Sequence, residues 1–467
     1  MSQHKILFKS MISRFTDDRL LRAGLSIFLL ITLLFPYGLS FAEGETTEDY
    51  TPKNLVADGA ILINASSGQV LFEKNSQTPL YPASTTKILT AIICLEDLNL
   101  SDVVTVDDEA PYVGGSHIAL DVGEQLTVEQ LLYALLMASA NDAAVALAKY
   151  HSGSVEAFAE VMNERAAEMG ATHSNFTNPH GLTDPDHVTT AYDLAKITQY
   201  ALKNQKFNEI IQTRRYEIPP TNKKNETRYL NSSNSFFPGM SGSDTLIDVD
   251  GKQIPIEFDL VDGVKRGYTE EALNCFVGSA TLDGRRYISV VLHSRANDMY
   301  ADTRKLLNYG LYGFNTYHLA DAGTVAETFQ MDDKNKTKLS GLYASDVIVD
   351  LPVGTSADAI TPAFTLLSGL ELPVSEGEVI GNASITLSDG SQLQTPLLSD
   401  GDYIGADLLT EDTTYFLQKK TVPEFFLWLL PHLLFAVLIW RTVMTLIRLR
   451  SDKRRSNKKR KKAVSHS

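Results

Sequence analysis

Cysteine is scarce in this sequence, which has two among its 467 residues, Cys94 and Cys275. Two cysteines cannot build a disulfide framework, and these two lack the close spacing of zinc ligands. Cys94 lies in an apolar helical pattern and Cys275 in an apparent strand. We therefore predict that both are small buried residues without a chemical role.

Positive charge is scarce between the two ends of the chain. The formal net charge is −15, but residues 441–467 contribute +10 and residues 1–42 contribute +3, which leaves −28 for the middle. Such an acidic middle segment argues against binding to nucleic acid. The length of the chain allows two or three domains with sizeable cores.

The first 42 residues have the parts of a secretory signal. Five basic residues come first, an apolar run covers 23–36, and Ser40-Phe41-Ala42 stands where a cleavage site is expected. We predict a signal peptide at 1–42 that is cleaved after Ala42. The alternative that stays open is an uncleaved N-terminal anchor.

The C-terminal end is apolar and then basic. Residues 425–447 contain only two ionisable side chains, His432 and Arg441, and the stretch is long enough to cross about 30 Å of hydrocarbon. The basic tail at 448–467 predicts a cytoplasmic end. We therefore predict a single-pass protein of the cell membrane, with 43–422 on the extracytoplasmic face. The open alternative is an amphipathic helix lying in the membrane interface.

Strand and helix patterns divide the rest of the chain into two regions. Strands are predicted at 59–64, 69–74, 263–269, 275–280 and 287–293, and helices at 88–98, 127–137, 143–150, 155–169 and 297–314. This order predicts an α+β fold for 50–314, in which helices flank an antiparallel sheet. Residues 324–418 show short alternating strands with Gly, Ser and Asp turns, which predict a separate small all-β domain.

A serine and a lysine stand one helical turn apart at the start of the apolar helix at 88–98. Lys87 follows Ser84 by three positions, which places both on one helical face. A serine that attacks a carbonyl group needs a base for its proton and donors for the oxyanion. Lys87 and the free N–H groups of the helix start could supply both. The alternative is a serine that caps the helix, followed by a solvated lysine.

Two later segments offer polar side chains that could meet Ser84. Ser139-Ala140-Asn141 is a short polar connector between two apolar helical patterns, so its side chains can project into a cleft. Alone, it would be interpreted as a surface turn. The second segment, Lys265 to Thr269, lies in a predicted strand.

Three histidines, His173, His180 and His187, are spaced by seven residues. Asn, Pro, Asp and Gly residues between them disfavour a regular helix, so the even spacing does not give a shared face. We therefore predict no metal site here.

The motifs Ser84-x-x-Lys87, Ser139-x-Asn141 and Lys265-x-Gly267 follow one another in this order. With them the chain resembles the serine D-alanyl-D-alanine carboxypeptidases, which are low-molecular-weight penicillin-binding proteins. The resemblance covers about 50–314, includes Asn178-Pro179-His180-Gly181-Leu182, and continues into a C-terminal β domain and a membrane anchor. It implies a peptidase domain with a β-lactamase-like α+β fold, a peptidoglycan stem peptide as substrate, β-lactam antibiotics as covalent inhibitors, and no metal or organic cofactor.

The resemblance also implies roles for the motif residues. Ser84 would attack the carbonyl group between the two terminal D-alanines, and Lys87 would take its proton. Ser139 would relay a proton to the leaving amine, and Asn141 would hydrogen-bond the substrate backbone. Lys265 would supply positive charge near the substrate carboxylate.

The strand of the third motif would complete the substrate-binding site. The resemblance implies that Arg266, Gly267, Tyr268 and Thr269 line it, and that the backbone N–H groups of Ser84 and Tyr268 hold the oxyanion.

The chain departs from the family pattern in its third motif. Arg266 replaces the usual Thr, Leu273 stands where Gly is usual, and the insertion between Asn231 and Asp262 is long. Arginine can bind a carboxylate through two hydrogen bonds, or it can crowd the cleft. Two alternatives to an active carboxypeptidase therefore stay open. One is a regulatory relative that acylates slowly or not at all, and the other is a β-lactamase, for which no clear Glu-containing motif follows Asn141.

Overall fold

The computed structural model describes residues 49–242, 245–331, 336–387, 390–403 and 439–444. The predicted signal peptide at 1–42 and the predicted tail at 448–467 lie outside these ranges, as does most of the predicted membrane span at 425–447. Residues 439–444 are helical. Within the described ranges, no helix combines the length and the apolar content that a membrane crossing requires.

The secondary structure changes from mixed to all-β near residue 314. The helices are α1 (Lys87–Asp97), α2 (Val128–Met137), α3 (Asn141–Ser152), α4 (Val155–Glu168), α5 (Ala191–Ala201), α6 (Gln205–Gln212) and α7 (Asp298–Gly313). The strands before residue 314 are β1 (Gly59–Asn64), β2 (Val70–Lys74), β3 (Val103–Thr105), β4 (Gln125–Thr127), β5 (Arg215–Ile218), β6 (Arg228–Asn231), β7 (Leu246–Val249), β8 (Lys252–Pro255), β9 (Val261–Thr269), β10 (Leu273–Leu282) and β11 (Arg285–Ser294). The later strands are β12 (Phe314–Ala320), β13 (Val325–Gln330), β14 (Lys338–Tyr343), β15 (Val347–Pro352), β16 (Ala363–Leu366), β17 (Val379–Thr386) and β18 (Gln392–Ser399). We call 51–313 the α+β region and 314–403 the β region.

The α+β region is built on one five-stranded antiparallel sheet with the order β2-β1-β11-β10-β9. Successive side chains of a strand point to opposite faces, so Ile61 joins one hydrophobic core and Leu62 the other. The first core includes α1 and α5, whereas the second includes Leu306 and Leu307 of α7. The predicted α+β fold is therefore confirmed. Strand β9 forms one edge of the sheet.

Local sequence signals explain several element boundaries. Asp283 and Gly284 both have positive φ, at 51° and 79°, which is the conformation of the tight turn that joins β10 to β11. Thr127 accepts a hydrogen bond from the Gln130 N–H, and the Gln130 side chain accepts one from the Thr127 N–H at the start of α2.

The two cysteines are buried and free, as the sequence predicts. Burial raises the pKa of both thiols, that of Cys275 to about 12. Neither thiol is therefore ionised near neutral pH.

The β region begins at Phe314, directly after α7 and before the predicted boundary at 324. Strand β12 pairs with β15, and a five-stranded antiparallel sheet has the order β13-β14-β18-β17-β16. A separate apolar core, which includes Val349, Ile380 and Leu397, fills it. Residues 404–418 of the predicted domain lie outside the described ranges.

The two regions meet at a polar junction centred on Asp350 of β15. The Asp350 carboxylate accepts hydrogen bonds from Asn64 Nδ2 (2.6 Å) and from the hydroxyls of Tyr287 (3.3 Å) and Thr316. The backbone of Asp350 also exchanges two hydrogen bonds with the Gln69 side chain, at 2.7 and 2.8 Å. Because Asn64 and Gln69 flank the β1–β2 turn, this turn is fixed to β15.

Candidate active site

Ser84 lies on a short 3-10 turn, Ala83–Thr86, that leads directly into α1. Side-chain hydroxyls stabilise this turn, because Thr85 donates to the Pro82 carbonyl (2.6 Å) and Thr86 donates to the Ala83 carbonyl (2.9 Å). Ala83 itself has φ 48°, in the left-handed region, where a non-glycine residue is strained. The turn presents a half-buried Ser84 at the start of a buried helix.

Lys87 is the first residue of α1, and its side chain is fully buried. Its Nζ lies 2.9 Å from Ser84 Oγ, 2.7 Å from Asn141 Oδ1 and 2.6 Å from the His180 carbonyl oxygen. Burial, followed by the charge of Lys265, holds the pKa of Lys87 well below its usual value, although Asp142 opposes this effect. This shift makes the neutral amine, which can accept a proton, easier to form next to the Ser84 hydroxyl.

The second motif links α2 to α3. Ser139 has φ 58°, and its Oγ lies 3.0 Å from Lys265 Nζ. Asn141, the first residue of α3, donates from Nδ2 to the Gly114 carbonyl oxygen (2.6 Å). The connector thus directs the Ser139 side chain toward Lys265 and the Asn141 side chain toward Lys87.

Asp142 is a functional neighbour that the sequence analysis did not single out. Its buried carboxylate accepts hydrogen bonds from the N–H groups of Ile118, Leu120 and Ala143, at 2.9 to 3.2 Å. It thereby fixes the loop before residue 120 against α3. An aspartate in the first turn of a helix, directly after a motif residue, was the available signal.

The third motif lies on the edge strand β9. Lys265 is buried and donates to Ser139 Oγ and to the Arg266 carbonyl oxygen (2.8 Å). Burial and the neighbouring Arg266 charge lower the pKa of Lys265 to about 7. The Arg266 side chain is exposed.

Gly267 brings β9 against the nucleophile. A Cβ atom at this position would lie 2.9 Å from the Ser84 backbone nitrogen, so only glycine allows this approach. Tyr268 is exposed, and the Thr269 hydroxyl lies 2.9 Å from that of Thr183. All predicted site residues of the third motif therefore lie on one strand beside Ser84.

The loop from Asn178 to Leu182 supports the nucleophile from the other side. The His180 carbonyl oxygen contacts Lys87, and a Cβ on Gly181, which has φ 84°, would overlap the Ala83 carbonyl group. Asn178 Oδ1 accepts from the Gly181 N–H (2.7 Å). Gly181 therefore allows the close approach to Ala83, and Asn178 stabilises the loop that contains it.

His187 is a second neighbour whose role sequence reasoning missed. The Thr177 N–H donates to its Nδ1 (3.0 Å), so the ring proton is on Nε2, which donates to Thr86 Oγ1 (2.9 Å). Burial lowers the pKa of His187 to about 4, so the ring stays neutral near pH 7. His187 therefore positions the turn that carries Ser84.

The three evenly spaced histidines occupy different environments. His180 and His187 are buried, whereas the His173 side chain is 63% exposed. Among the described residues, the potential metal ligands that lie within 4.8 Å of one another are His318, Asp321 and Asp346. That group is exposed in the β region and does not include the motif residues.

The geometry combines a hydroxyl nucleophile and a buried amine beside strand β9. Residues 45–296 match the family model of the D-alanyl-D-alanine carboxypeptidases, and residues 314–403 match the C-terminal domain of penicillin-binding protein 5. The first match covers more than half of the chain.

Relatives with the same name are similar along most of their length. The D-alanyl-D-alanine carboxypeptidase DacF of Bacillus subtilis is 31% identical over 399 residues, which are 84% of this chain and 96% of the relative. DacC of Escherichia coli is 31% identical over 386 residues, 77% of this chain and 86% of the relative. The crystal structure of penicillin binding protein 5 from Haemophilus influenzae aligns with a TM-score of 0.61 and 27% identity, and covers 76% of this chain and 99% of that one. The chain therefore belongs to the D-alanyl-D-alanine carboxypeptidase family.

Proposed function

We propose that this protein is a serine D-alanyl-D-alanine carboxypeptidase that removes the terminal D-alanine from the stem pentapeptide of peptidoglycan. The observation that carries the proposal is the 2.9 Å contact between Ser84 Oγ and the buried Lys87 Nζ. A buried amine with a lowered pKa is a suitable base for a serine nucleophile. The same geometry supports the proposal that β-lactam antibiotics acylate Ser84 and inhibit the protein covalently.

The acylation step assigns a role to each motif. Ser84 Oγ attacks the carbonyl carbon between the two D-alanines, and its proton passes to neutral Lys87. The backbone N–H groups of Ser84 and Tyr268 stabilise the oxyanion. Ser139, whose hydroxyl lies 3.0 Å from Lys265 Nζ, relays a proton to the leaving amine. Water then hydrolyses the acyl-enzyme.

The carboxylate of the terminal D-alanine is bound from strand β9. Lys265 and Arg266 are consecutive residues of this strand; the Lys265 ammonium contacts Ser139, and the Arg266 side chain is exposed. A guanidinium group can hold a carboxylate through two charge-assisted hydrogen bonds. In this proposal Arg266 replaces the threonine hydroxyl of the usual motif, while Asn141 and Thr269 contact the rest of the peptide.

We also propose that the protein works on the extracytoplasmic face of the cell membrane. The basic and apolar order of 1–42 and the apolar stretch at 425–447 with its basic tail support this proposal. Cell fractionation of the full chain, compared with a chain that ends at residue 422, tests it. Equal distribution of both chains between the membrane and soluble fractions would contradict the anchor.

The proposed activity is tested by D-alanine release from diacetyl-Lys-D-Ala-D-Ala by the detergent-solubilised full chain. We expect release by the wild type, no release by Ser84→Ala, and normal release by Ser101→Ala, which changes an exposed serine. Release that persists in Ser84→Ala would contradict the assigned nucleophile.

The arginine in the third motif favours a second candidate, a relative that is acylated but does not turn over. Such a protein would label with a fluorescent penicillin through Ser84 and release no D-alanine. Release that appears only in Arg266→Thr would support this candidate. Absence of both label and release in the wild type would contradict both functions.

A further inference from the structure

A cavity of about 520 Å³ lies beside the proposed catalytic cleft and is not used by the mechanism above. Three of its lining residues adjoin residues of the candidate site. Val113 precedes Gly114, whose carbonyl oxygen binds Asn141, and Val145 lies one turn of α3 beyond Asn141. The third residue is His180, whose carbonyl oxygen binds Lys87. One helical turn is about 5.4 Å, which a single long side chain can span.

The outer wall of the cavity is acidic. Asp108 and Glu109 line it, and Asp107 lies next to them. Lys149 pairs with both Asp107 and Glu109, and its pKa is raised mainly by these hydrogen bonds, so it remains protonated. Three carboxylates and one ammonium group leave a net charge of −2. Asp108 has no ion pair or side-chain hydrogen bond within the described ranges.

The inner wall offers an unused hydrogen-bond donor. His180 is 8% exposed, and its Nδ1 accepts a hydrogen bond from the Leu182 N–H (3.2 Å), so its proton is on Nε2. Within the described part of the chain, Nε2 has no hydrogen-bond partner. Burial lowers the pKa of His180 to about 3, so the ring is neutral. An unpaired N–H group on a mostly buried side chain at the wall of a cavity can donate a hydrogen bond to a ligand that carries an acceptor there.

The remaining walls suit an alkyl chain with a cationic end. Val113, Val145 and Val155 are apolar, and the ring of Tyr112 is 80% exposed at the cavity. An exposed aromatic ring next to carboxylates attracts an ammonium group, because both its face and the carboxylates are negative. The cavity therefore has a hydrogen-bond donor, the His180 ring, at its inner end, apolar side chains in the middle and carboxylates at its outer end.

We propose that this cavity binds the side chain of the stem residue before the two D-alanines, through a free terminal ammonium group. The inference rests on the proposed function, because it places that residue beside the acylated serine. A side chain with an unmodified amine, such as that of lysine, binds more tightly because its ammonium group contacts the anionic wall. A diamino acid with a carboxylate next to its distal amine is repelled by Asp108 and gains less.

A matched pair of peptides tests the proposal on the detergent-solubilised full chain. Nα-acetyl-Lys-D-Ala-D-Ala keeps the free ε-amine, whereas the diacetyl peptide lacks it. We expect kcat/KM to be about fivefold to tenfold higher for the free amine at low salt. The preference should fall as salt rises, because the acidic wall is exposed.

Variants identify the residue responsible. Asp108→Asn should lower the preference to about twofold or less, and it leaves the Lys149 ion pairs intact. Glu160→Gln, which removes an exposed carboxylate of α4 outside the cavity, is the matched control and should keep the preference. Equal kcat/KM for the two peptides in the wild type, or a preference unchanged in Asp108→Asn, would overturn the proposal.

A binding measurement separates this inference from the proposed activity. Titration calorimetry of both peptides on Ser84→Ala needs no turnover, and the free-amine peptide should have a Kd about fivefold to tenfold lower. If this difference is present but no wild-type protein releases D-alanine, the cavity assignment stands and the proposed activity fails. If D-alanine is released but both peptides bind equally, the activity stands and the cavity assignment fails.

Discussion

The α+β region and the β region differ in what they bury. The α+β region buries several ionisable side chains around one cleft, among them Lys87, Asp142 and Lys265. In the described part of the β region, the buried carboxylate is that of Asp350, and it bonds to Asn64 of the α+β region. Burial of charge is costly and persists where function or specific contacts require it. The comparison assigns the chemistry to the α+β region and the attachment between regions to Asp350.

The substitution of Lys87 should have the largest effect on activity and tests the assignment of the chemistry to the α+β region. Lys87→Gln should lower the rate of penicillin acylation and of D-alanine release by a factor of about 10² to 10⁴, because Ser84 loses its base. Lys338→Gln, which changes an exposed lysine of the β region, should leave both rates unchanged. Stopped-flow labelling with a fluorescent penicillin measures the first rate. A Lys87→Gln variant that acylates at the wild-type rate would refute the assigned base.

The next effect concerns the junction. Asp350→Ala leaves the donors on Asn64 and Thr316 without their acceptor, so the free energy of unfolding should fall by about 4 kcal/mol. Urea unfolding monitored by circular dichroism measures it, and kcat/KM at low temperature should stay at the wild-type value. Glu371→Ala, an exposed change in the same region, should alter stability by less than about 0.5 kcal/mol. Equal stabilities of the two variants would mean that the junction is energetically unimportant.

Acid should weaken the α+β region through its two buried histidines, His180 and His187. His187 has a pKa of about 4 in the folded chain, below the usual 6.5, so the unfolded chain binds more protons between these values. Stability is therefore lost as the pH falls from about 6.5 to about 4, by up to about 3 kcal/mol. His187→Gln should flatten this dependence, although the variant is less stable overall.

Urea unfolding at several pH values measures that slope. His173→Gln, at the exposed histidine, is the control and should keep the wild-type slope. Parallel slopes for the wild type and His187→Gln would contradict the neutral, buried assignment.

The smallest expected effect is a shift in the pH dependence of acylation. Lys265 has a pKa of about 7, lowered first by burial and then by Arg266. If its positive charge attracts the substrate carboxylate, kcat/KM should fall as the pH rises through this value. Arg266→Thr removes the neighbouring charge, raises the pKa of Lys265 and moves this decrease to higher pH. An unchanged pH profile in Arg266→Thr would show that the decrease in kcat/KM is caused by the titration of another group.

Local patterns predicted the strands of the five-stranded sheet, five of the helices and the three motifs, because each depends on residues within a few positions. The contacts that complete the site were not predictable in this way. Lys87 binds the carbonyl oxygen of His180, which is 93 residues away, and Asn64 binds Asp350 across 286 residues. A backbone carbonyl leaves no side-chain signature, and a pairing across such a distance leaves no periodicity. His187 was missed for the same reason.

Gly267 limits how this protein could evolve resistance to β-lactam antibiotics. Any side chain there would meet the Ser84 backbone nitrogen at 2.9 Å, and backbone cannot move aside as a flexible side chain would. Such a change would displace β9 from the nucleophile, so the protein would lose the binding of the drug and of the stem peptide together. Tolerated variation is therefore expected at the exposed neighbours Arg266 and Tyr268, where a new side chain can alter drug binding without moving the main chain.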